Sequence, residues 1–234
     1  MNTNEPIYIA GSTYRHASAT LTAAQTGEWT TLLPFRFSSL NALYARFRNQ
    51  SSAVHGAAAT AAYRLSSSIS PNVGNWYYRI GQGLYPNKPV YLMNGFLVGN
   101  GSEAMAELQK SFHSLASITG EPAYNAREYY VAATAYGSGQ WLGAFTPGIK
   151  NKGNIDTFAN AFSIGLELQT FSNTNDTILS GVNTQNTQMF FTANIYSGLT
   201  AGGAGPPAYN YTVDFFASYD FVLEIRDGVA SVVM

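Results

Sequence analysis

Two segments of the chain alternate between apolar and polar residues with a period of two. They lie at 158–168 and at 215–225. The apolar residues that share one parity are Phe158, Phe162, Ile164, Leu166 and Leu168 in the first segment, and Phe215, Ala217, Tyr219, Phe221, Leu223 and Ile225 in the second. Successive side chains of a β-strand point to opposite faces of a sheet, whereas a helix repeats after about 3.6 residues. The alternation therefore predicts strands that bury one face.

Other runs predict the remaining strands and the turns between them. The dipeptide Asp227-Gly228 follows the second segment and precedes a β-prone run at 229–234. An Asp-Gly pair in this setting predicts a hairpin, because glycine accepts the positive φ of a tight turn. Further strands are predicted at 29–37, 40–48, 76–80, 89–92 and 188–196. Turn-rich loops are predicted at 66–74, 136–154, 172–186 and 198–207.

A single helix interrupts the β pattern. Apolar residues at Met105, Leu108, Phe112 and Leu115 recur at spacings of three and four, which places them on one helical stripe. Ser102 suits the N-cap position. We therefore predict an amphipathic helix over about 102–117.

This inventory predicts an all-β fold, an eight-stranded jelly-roll sandwich with long loops and one inserted helix. Immunoglobulin-like sandwiches have shorter loops and about 100 residues, whereas this chain has 234. We expect residues 1–28 to form an N-terminal extension or arm, and residues 29–234 to form a single jelly-roll domain.

The chain contains few charged residues. They make up 11% of the sequence, against 46% hydrophobic and 14% aromatic residues, and the charged share is less than half of the typical value of about 25%. A monomer needs charged surface to stay dispersed, so we expect partner subunits to cover much of the exterior. The alternative is a soluble neutral β protein such as a lectin. The net charge of -1 disfavours direct binding of a genome.

Cysteine is absent, which excludes disulfides, thiolate metal sites and a cysteine nucleophile. Residues 1–20 lack the features of a signal peptide, and no apolar run reaches the length of a membrane span. We expect the protein to be made in the cytosol or nucleus and to have no membrane span.

Several motifs resemble catalytic or cofactor sites only weakly. The segment 99–104 reads G-x-G-x-x-A at the start of the predicted helix, but no alternation of strands and helices follows, and Glu103 would stand where a phosphate should bind. His16, His55 and His113 are scattered, so a structural role is favoured over metal binding. Ser138 lies between Gly137 and Gly139, but positions 136 and 140 are not glycine, so the G-x-S-x-G pattern of a nucleophile elbow is absent there. We assign no catalytic, cofactor-binding or metal-binding residue.

Strand carboxylates and aromatic or basic clusters leave further alternatives. Carboxylates within predicted strands could form a glycosidase pair about 5 to 9 Å apart, although outward-facing charges are favoured. Aromatic clusters could stack on sugars or bases, but they equally suit a core or a subunit interface. Three arginines could form a basic strip, although bridges to carboxylates or to backbone carbonyls of an adjoining subunit are favoured. These groups are Glu167, Asp214, Asp220 and Glu224; Trp76-Tyr77-Tyr78 and Tyr129-Tyr130; and Arg36, Arg46 and Arg48.

Four segments in order resemble the C-terminal part of the major capsid proteins of polinton-like viruses, adintoviruses and virophages. They are Leu33-Pro34-Phe35-Arg36-Phe37-Ser38-Ser39-Leu40, Tyr78-Arg79-Ile80-Gly81 with Tyr85-Pro86, the helix at 103–110, and the ending from Tyr219-Asp220 to Val233. The resemblance covers roughly residues 30–234. It implies a jelly roll without family catalytic residues.

Members of that family are double jelly rolls whose trimers form pseudo-hexagonal capsomers of an icosahedral shell. This chain is too short for two rolls, so the resemblance implies one roll, and a first roll is absent, carried by another chain or missing from this stretch of sequence. A single jelly-roll shell protein and a penton-type vertex protein are the open alternatives.

The leading hypothesis is a structural viral capsid protein, not an enzyme, that needs no cofactor. It would self-assemble with copies of itself, as a trimeric capsomer, and with other capsid proteins of the virion, without reading nucleic-acid sequence. The alternative is a carbohydrate-binding jelly roll, a lectin or a viral spike head, in which loop tyrosines and tryptophans contact sugar. A glycan-cleaving enzyme is the third hypothesis, and it depends on the strand carboxylates alone.

Overall fold

A computed structural model of the protein describes residues 5–49, 68, 71, 73–92, 102–112, 162–169, 181–195, 210–226 and 228–233. These residues form nine strands and one helix. The strands are β1 (Ile7–Leu21), β2 (Gly27–Leu33), β3 (Leu40–Asn49), β4 (Val73–Ile80), β5 (Gly83–Tyr91), β6 (Ile164–Glu167), β7 (Met189–Ile195), β8 (Tyr211–Arg226) and β9 (Val229–Val233), and the helix is α1 (Ser102–Ser111). Among the described residues, no helix is both long and apolar enough to cross a bilayer.

The strands form two antiparallel sheets with jelly-roll connectivity. Sheet A has the order β1-β8-β3-β6, with β9 added beside β8, and sheet B has the order β2-β7-β4-β5. The first strand thus pairs with the eighth, the second with the seventh, the third with the sixth and the fourth with the fifth. Such pairing arises when one long antiparallel ribbon wraps around a core, which is the jelly roll. The predicted fold class is confirmed.

Aromatic side chains from both sheets fill the space between them. Phe191 of β7 lies at the centre, with ring centroids 5.0 Å from Tyr78 of sheet B and 5.2 Å from Phe215 of sheet A. Phe47 and Trp76 are also fully buried. Alternate residues of β8 point inward, as the period-two pattern predicts, and the rings account for much of the buried apolar area.

The N-terminal region contains a strand that the sequence did not predict. Within residues 1–28, which were expected to form an N-terminal extension or arm, β1 occupies Ile7–Leu21 and pairs with β8 over its full 15 residues. Its core-facing positions hold small residues such as Ala17 and Ala19, so the sequence shows no strong apolar alternation there. The strand is specified mainly by its pairing with β8.

The segment 158–168 contains a shorter strand than its pattern suggests. Only Ile164–Glu167 forms β6, and Phe162 is buried just before it. The part at 158–161 lies outside the described residues. The strand predictions near 40–48, 76–80, 188–196 and 215–225 correspond to β3, β4, β7 and β8, and the hairpin after β8 is present, with Gly228 at a φ of 78°.

The helix packs on the outer face of sheet A, against β6. Leu108 is buried there, and the Tyr44 hydroxyl donates a hydrogen bond to the Ser111 carbonyl at 2.6 Å. The helix ends at Ser111, earlier than the predicted 117, and Phe112 is 51% exposed although its ring stacks on Tyr44 at 5.2 Å. Positions 113–117 of the prediction lie outside the described residues.

Candidate functional site

Three of the four strand carboxylates are spread along a single strand. Asp214, Asp220 and Glu224 lie along β8, and at about 3.3 Å per residue Asp214 is roughly 20 Å from Asp220, and Asp220 roughly 13 Å from Glu224. Glu167 lies two strands away, opposite Ala42 of β3. These separations along β8 exceed the spacing of a glycosidase pair. Within the described ranges, no three His, Asp or Glu side chains group as metal ligands would.

Asp214 belongs to an ion-pair cluster on the outer face of sheet A. Arg48 of β3 donates to both of its carboxylate oxygens, through Nε to Oδ2 and through Nη2 to Oδ1 at 2.9 Å. His16 Nε2 of β1 lies 3.0 Å from Oδ1. Burial alone would raise the pKa of Asp214, but the hydrogen bonds from Arg48 and His16 outweigh it and hold the pKa below its ordinary value. The cluster ties together the three neighbouring strands of sheet A.

Asp220 anchors a second polar network near the start of β3. Its carboxylate accepts hydrogen bonds from Ser39 Oγ at 2.8 Å and from Asn41 Nδ2 at 2.5 Å. The Gly181 backbone N–H donates to Ser39 Oγ at 2.9 Å. Every partner of Asp220 here is neutral, so the network positions backbone and has the character of a structural clamp.

The other candidate residues from the sequence either form ion pairs and hydrogen bonds within the chain or lie outside the described residues. Glu103 in the first turn of α1 forms an ion pair with Lys88 at 3.2 Å. Of the three arginines considered for a basic strip, Arg48 bridges to a carboxylate, as the favoured interpretation expected. Arg36 donates to the Gln185 carbonyl at 3.1 Å, a backbone carbonyl of the same chain and not of an adjoining subunit. His55, His113, the glycines at 99 and 101, the segment 137–139 and the pair Tyr129-Tyr130 lie outside the described residues.

The aromatic triplet on β4 divides between the core and the surface. Trp76 and Tyr78 are fully buried, with ring centroids 5.9 Å apart, and Tyr77 is half-buried on the outer face of sheet B. The two buried rings cannot stack on a sugar or a base without unfolding of the core. Trp76 and Tyr78 are therefore core residues, one of the two structural roles that the sequence suggested for this cluster.

One row of side chains crosses the outer face of sheet B. The row contains Leu32, Phe190, Arg79 and Leu84, one residue from each strand in register. Leu32 is 55% exposed and Leu84 39% exposed. The Arg79 guanidinium lies over the Phe190 ring, 4.5 Å from its centroid, where it is attracted to the ring face. We call this set the sheet B row, and it is an apolar surface with a single cation.

The second exposed apolar surface is a three-stranded extension of sheet A. Strand β8 continues past the start of β3, flanked by the beginning of β1 on one side and by β9 on the other. We call residues 7–13, 219–226 and 229–233 the flap. One of its faces carries apolar side chains in register, and we call this the flap face: Ile7, Ile9, Phe221, Leu223, Ile225, Ala230 and Val232.

Comparisons with known proteins find similarity only among solved structures. No protein-family model and no curated protein matches the chain. The chain is similar to VP54 of PBCV-1, from a crystal structure fitted into a cryo-EM reconstruction of the virophage Sputnik, with 10% identity and a TM-score of 0.48. It is similar to a chain of a quasi-atomic model of the PBCV-1 virus capsid, with 10% identity and a TM-score of 0.49.

A chain of the Sputnik virophage structure determined by cryo-EM is also similar, with 11% identity and a TM-score of 0.42. The matches cover 98%, 98% and 97% of this chain. They cover 52% of each of the first two solved chains and 39% of the third, so this chain spans about half of their length or less.

The sequence prediction missed both exposed surfaces. The flap face could have been inferred from the alternation of β8, because Phe221, Leu223 and Ile225 continue the inward parity of Phe215. The Ile7-x-Ile9 pattern gave a weaker signal. The sequence did not indicate that sheet B, as far as the structure describes it, would leave this end of β8 uncovered, because only the pairing of strands shows where the two sheets overlap.

Proposed function

We propose that the chain is a structural capsid protein that self-assembles into capsomers of an icosahedral shell. Its partners would be other copies of itself, in a trimeric capsomer, together with other capsid proteins. Its place would be the virion, after production in the host cytoplasm or nucleus. In this role it would protect a genome without reading its sequence, and no catalytic step would be required of it.

The observation that carries the proposal is that this jelly roll exposes two apolar surfaces, the sheet B row and the flap face. The chain as a whole also has few charged residues, 11% of the sequence. Ile7, Leu32 and Val232 are each more than half exposed, and they lie on two separate faces. Large exposed apolar patches mark surfaces that bind other molecules. A subunit that contacts several neighbours needs more than one such surface, whereas a receptor-binding protein needs one.

Two further features support the same role. The jelly roll is an architecture of viral shell proteins, although lectins share it. The sequence also resembles the C-terminal roll of major capsid proteins over roughly residues 30–234. Since this chain spans about half of the solved chains it matches, the proposal concerns one roll, and the arrangement of any second roll is left open.

The competing functions have less support. A lectin would present aromatic rings at loop ends, but Trp76 and Tyr78 are core residues and Trp29 is packed against the core. A glycosidase requires a pair of carboxylates, but Asp214 is bound by Arg48 and Asp220 by neutral side chains. No specific contact in the described part of the chain favours either alternative.

The test is to measure the size of the purified protein by light scattering and negative-stain microscopy over a range of concentrations. We expect trimers, capsomers, sheets or shells, with a mass that increases with concentration. A compact monomer at every concentration would contradict the proposal. Binding of that monomer on a glycan array would instead favour the carbohydrate-binding alternative.

A further inference from the structure

The flap face continues the core face of sheet A beyond the sandwich. Phe215 and Ala217 are buried against sheet B, and Tyr219, the next residue of the same parity, stacks on Phe37 with ring centroids 3.9 Å apart. Phe221, Leu223 and Ile225 extend this parity into the flap. There Ile7 is 60% exposed and Val232 57% exposed. The flap face therefore has the apolar character of a sheet that packs on a second sheet, but no second sheet covers it in the described part of the chain.

The chemistry of this face restricts what can cover it. Its seven residues carry no charge and no hydrogen-bonding side chain, so the face has no group that could pair with a phosphate, a sugar hydroxyl or a charged peptide. Apolar sheet faces with β-branched side chains pack on other sheets about 10 Å away. Gly11 contributes to the flatness of the face, since a Cβ there would lie 2.9 Å from the Phe221 ring. The fitting partner is another flat apolar sheet.

The size of the face favours a repeated contact. Three strands about 4.8 Å apart, over about seven residues of 3.3 Å each, give a face of roughly 300 Å². A stable interface between two proteins buries about 800 Å² on each partner. A contact this small is weak alone and becomes effective when many copies repeat it within one assembly. Copies of the same chain provide that repetition.

We infer that the flap face packs against the flap face of a second copy of this chain, about a two-fold axis. The inference rests on the proposed self-assembly, for which it names one contact. A two-fold arrangement is the commonest way in which a surface covers its own copy. With the axis along the row of Ile9, Leu223 and Val232, which are in register, each of these residues lies opposite its own copy, in the interior of a small two-layer junction between the two flaps.

The experiment introduces a positive or a negative charge at Ile9, and a substitution on the opposite face of the same strand is the control. Ile9 is 48% exposed on the flap face, and Tyr8 is 58% exposed on the opposite face of β1. We expect Ile9→Lys and Ile9→Glu each to raise the concentration needed for assembly by at least about tenfold, because like charges would meet at the junction. Tyr8→Lys should assemble as the wild type does. An equimolar mixture of Ile9→Lys and Ile9→Glu should recover assembly, because opposite charges then face each other.

A second variant tests the contact without disturbing it. The chain has no cysteine, so Val232→Cys introduces a unique thiol on the flap face. We expect a short bis-maleimide to link copies into covalent dimers under assembly conditions. Tyr14→Cys, 65% exposed on the outer face of sheet A, is the control for links that form by random collision.

The outcomes separate this inference from the proposed function. If the wild type assembles but Ile9→Lys assembles equally well, or the mixture of Ile9 variants does not recover assembly, the flap contact is wrong and the capsid role stands. Absence of the Val232→Cys dimer in assembled material has the same meaning, with the face then covered by other residues of the chain or by a different protein. If the wild type stays monomeric at all concentrations, both proposals fail.

Discussion

Gly165 of β6 lies directly beneath Leu108 of α1. A Cβ on Gly165 would be 2.8 Å from Leu108 Cδ1 and would also collide with Ser111 Oγ. The absence of a side chain lets the helix approach the backbone of the sheet closely. The close packing of α1, the only helix in the described residues, on sheet A thus depends on a single glycine.

Substitution of this glycine should loosen the helix. We expect Gly165→Val to lower the free energy of unfolding by about 1 to 3 kcal/mol, because its side chain would overpack the contact with α1. Gly165→Ala should cause a smaller loss, because its single methyl group displaces the Leu108 side chain and the Ser111 hydroxyl and crowds the Leu108 Cα at 3.2 Å, but adds no further bulk. Urea unfolding of the three proteins measures the series. Equal stability of Gly165→Val and the wild type would show that α1 does not pack closely against Gly165.

Two tyrosines, Tyr44 half-buried and Tyr78 fully buried, should respond differently to loss of their hydroxyls. Tyr44 donates to the Ser111 carbonyl at 2.6 Å, whereas the hydroxyl of Tyr78 has no hydrogen-bond partner within the described structure. We expect Tyr44→Phe to cost about 1 kcal/mol of unfolding free energy, and Tyr78→Phe to cost nothing or to stabilise by up to about 1 kcal/mol. Each variant is the control for the other in thermal and urea unfolding. A loss in Tyr78→Phe as large as in Tyr44→Phe would reveal a partner for its hydroxyl.

The same two side chains make stability sensitive to alkaline pH. Burial raises the pKa of Tyr44 to about 12, and it raises the pKa of Tyr78 as well. A phenol whose pKa is raised on folding contributes stability fully below its unfolded pKa of about 10, and that contribution is lost as pH increases through the folded pKa. For Tyr44 the loss falls between about pH 10 and 12. Unfolding curves should show it, and Tyr44→Phe should reduce the slope in that window. An unchanged slope would contradict the assignment.

Strand pairing explains why some of these features were predictable and others were not. The parity of β8 follows from local alternation, and the jelly roll follows from the number of strands and loops. The strand β1 escaped prediction because the residues it turns inward, Ala17 and Ala19, are small. Asp214 lies on the polar parity of β8, as an outward charge would, yet it is only 5% exposed because Arg48 and His16 cover it. Those partners lie 166 and 198 residues away in sequence, so no local pattern could reveal them.

The Asp214 cluster predicts a loss of stability in acid. Its carboxylate has a lowered pKa when folded, so the contribution is complete above the unfolded pKa of about 3.9 and is lost as pH falls through the lower, folded pKa. We expect Asp214→Asn to destabilise the protein at neutral pH by about 1 to 3 kcal/mol, less than for a fully buried pair because the Arg48 side chain is 32% exposed. Below about pH 4, the free energy of unfolding should decrease less steeply with falling pH in the variant than in the wild type.

A second carboxylate on the same strand is the control for this prediction. Glu224 is paired with Arg226 at 3.7 Å, and the Arg226 side chain is 60% exposed. Exposed pairs contribute little, so Glu224→Gln should change stability by less than about 0.5 kcal/mol. If Asp214→Asn behaves like Glu224→Gln at both neutral and acidic pH, the buried cluster does not stabilise sheet A.

The sheet B row should matter for assembly and not for folding. Leu32 is more than half exposed beside Phe190, so its side chain contributes little to the core of the isolated chain. We expect Leu32→Glu to leave the free energy of unfolding within about 0.5 kcal/mol of the wild type. The same change would bury an unpaired charge at a subunit contact, and it should raise the concentration needed for assembly about tenfold or more. Thr30→Glu, on the same face of β2 but outside the row, should have a weaker effect. If Leu32→Glu assembles like the wild type, the row faces solvent in the particle, and the flap carries the contacts that the low charge of the chain requires.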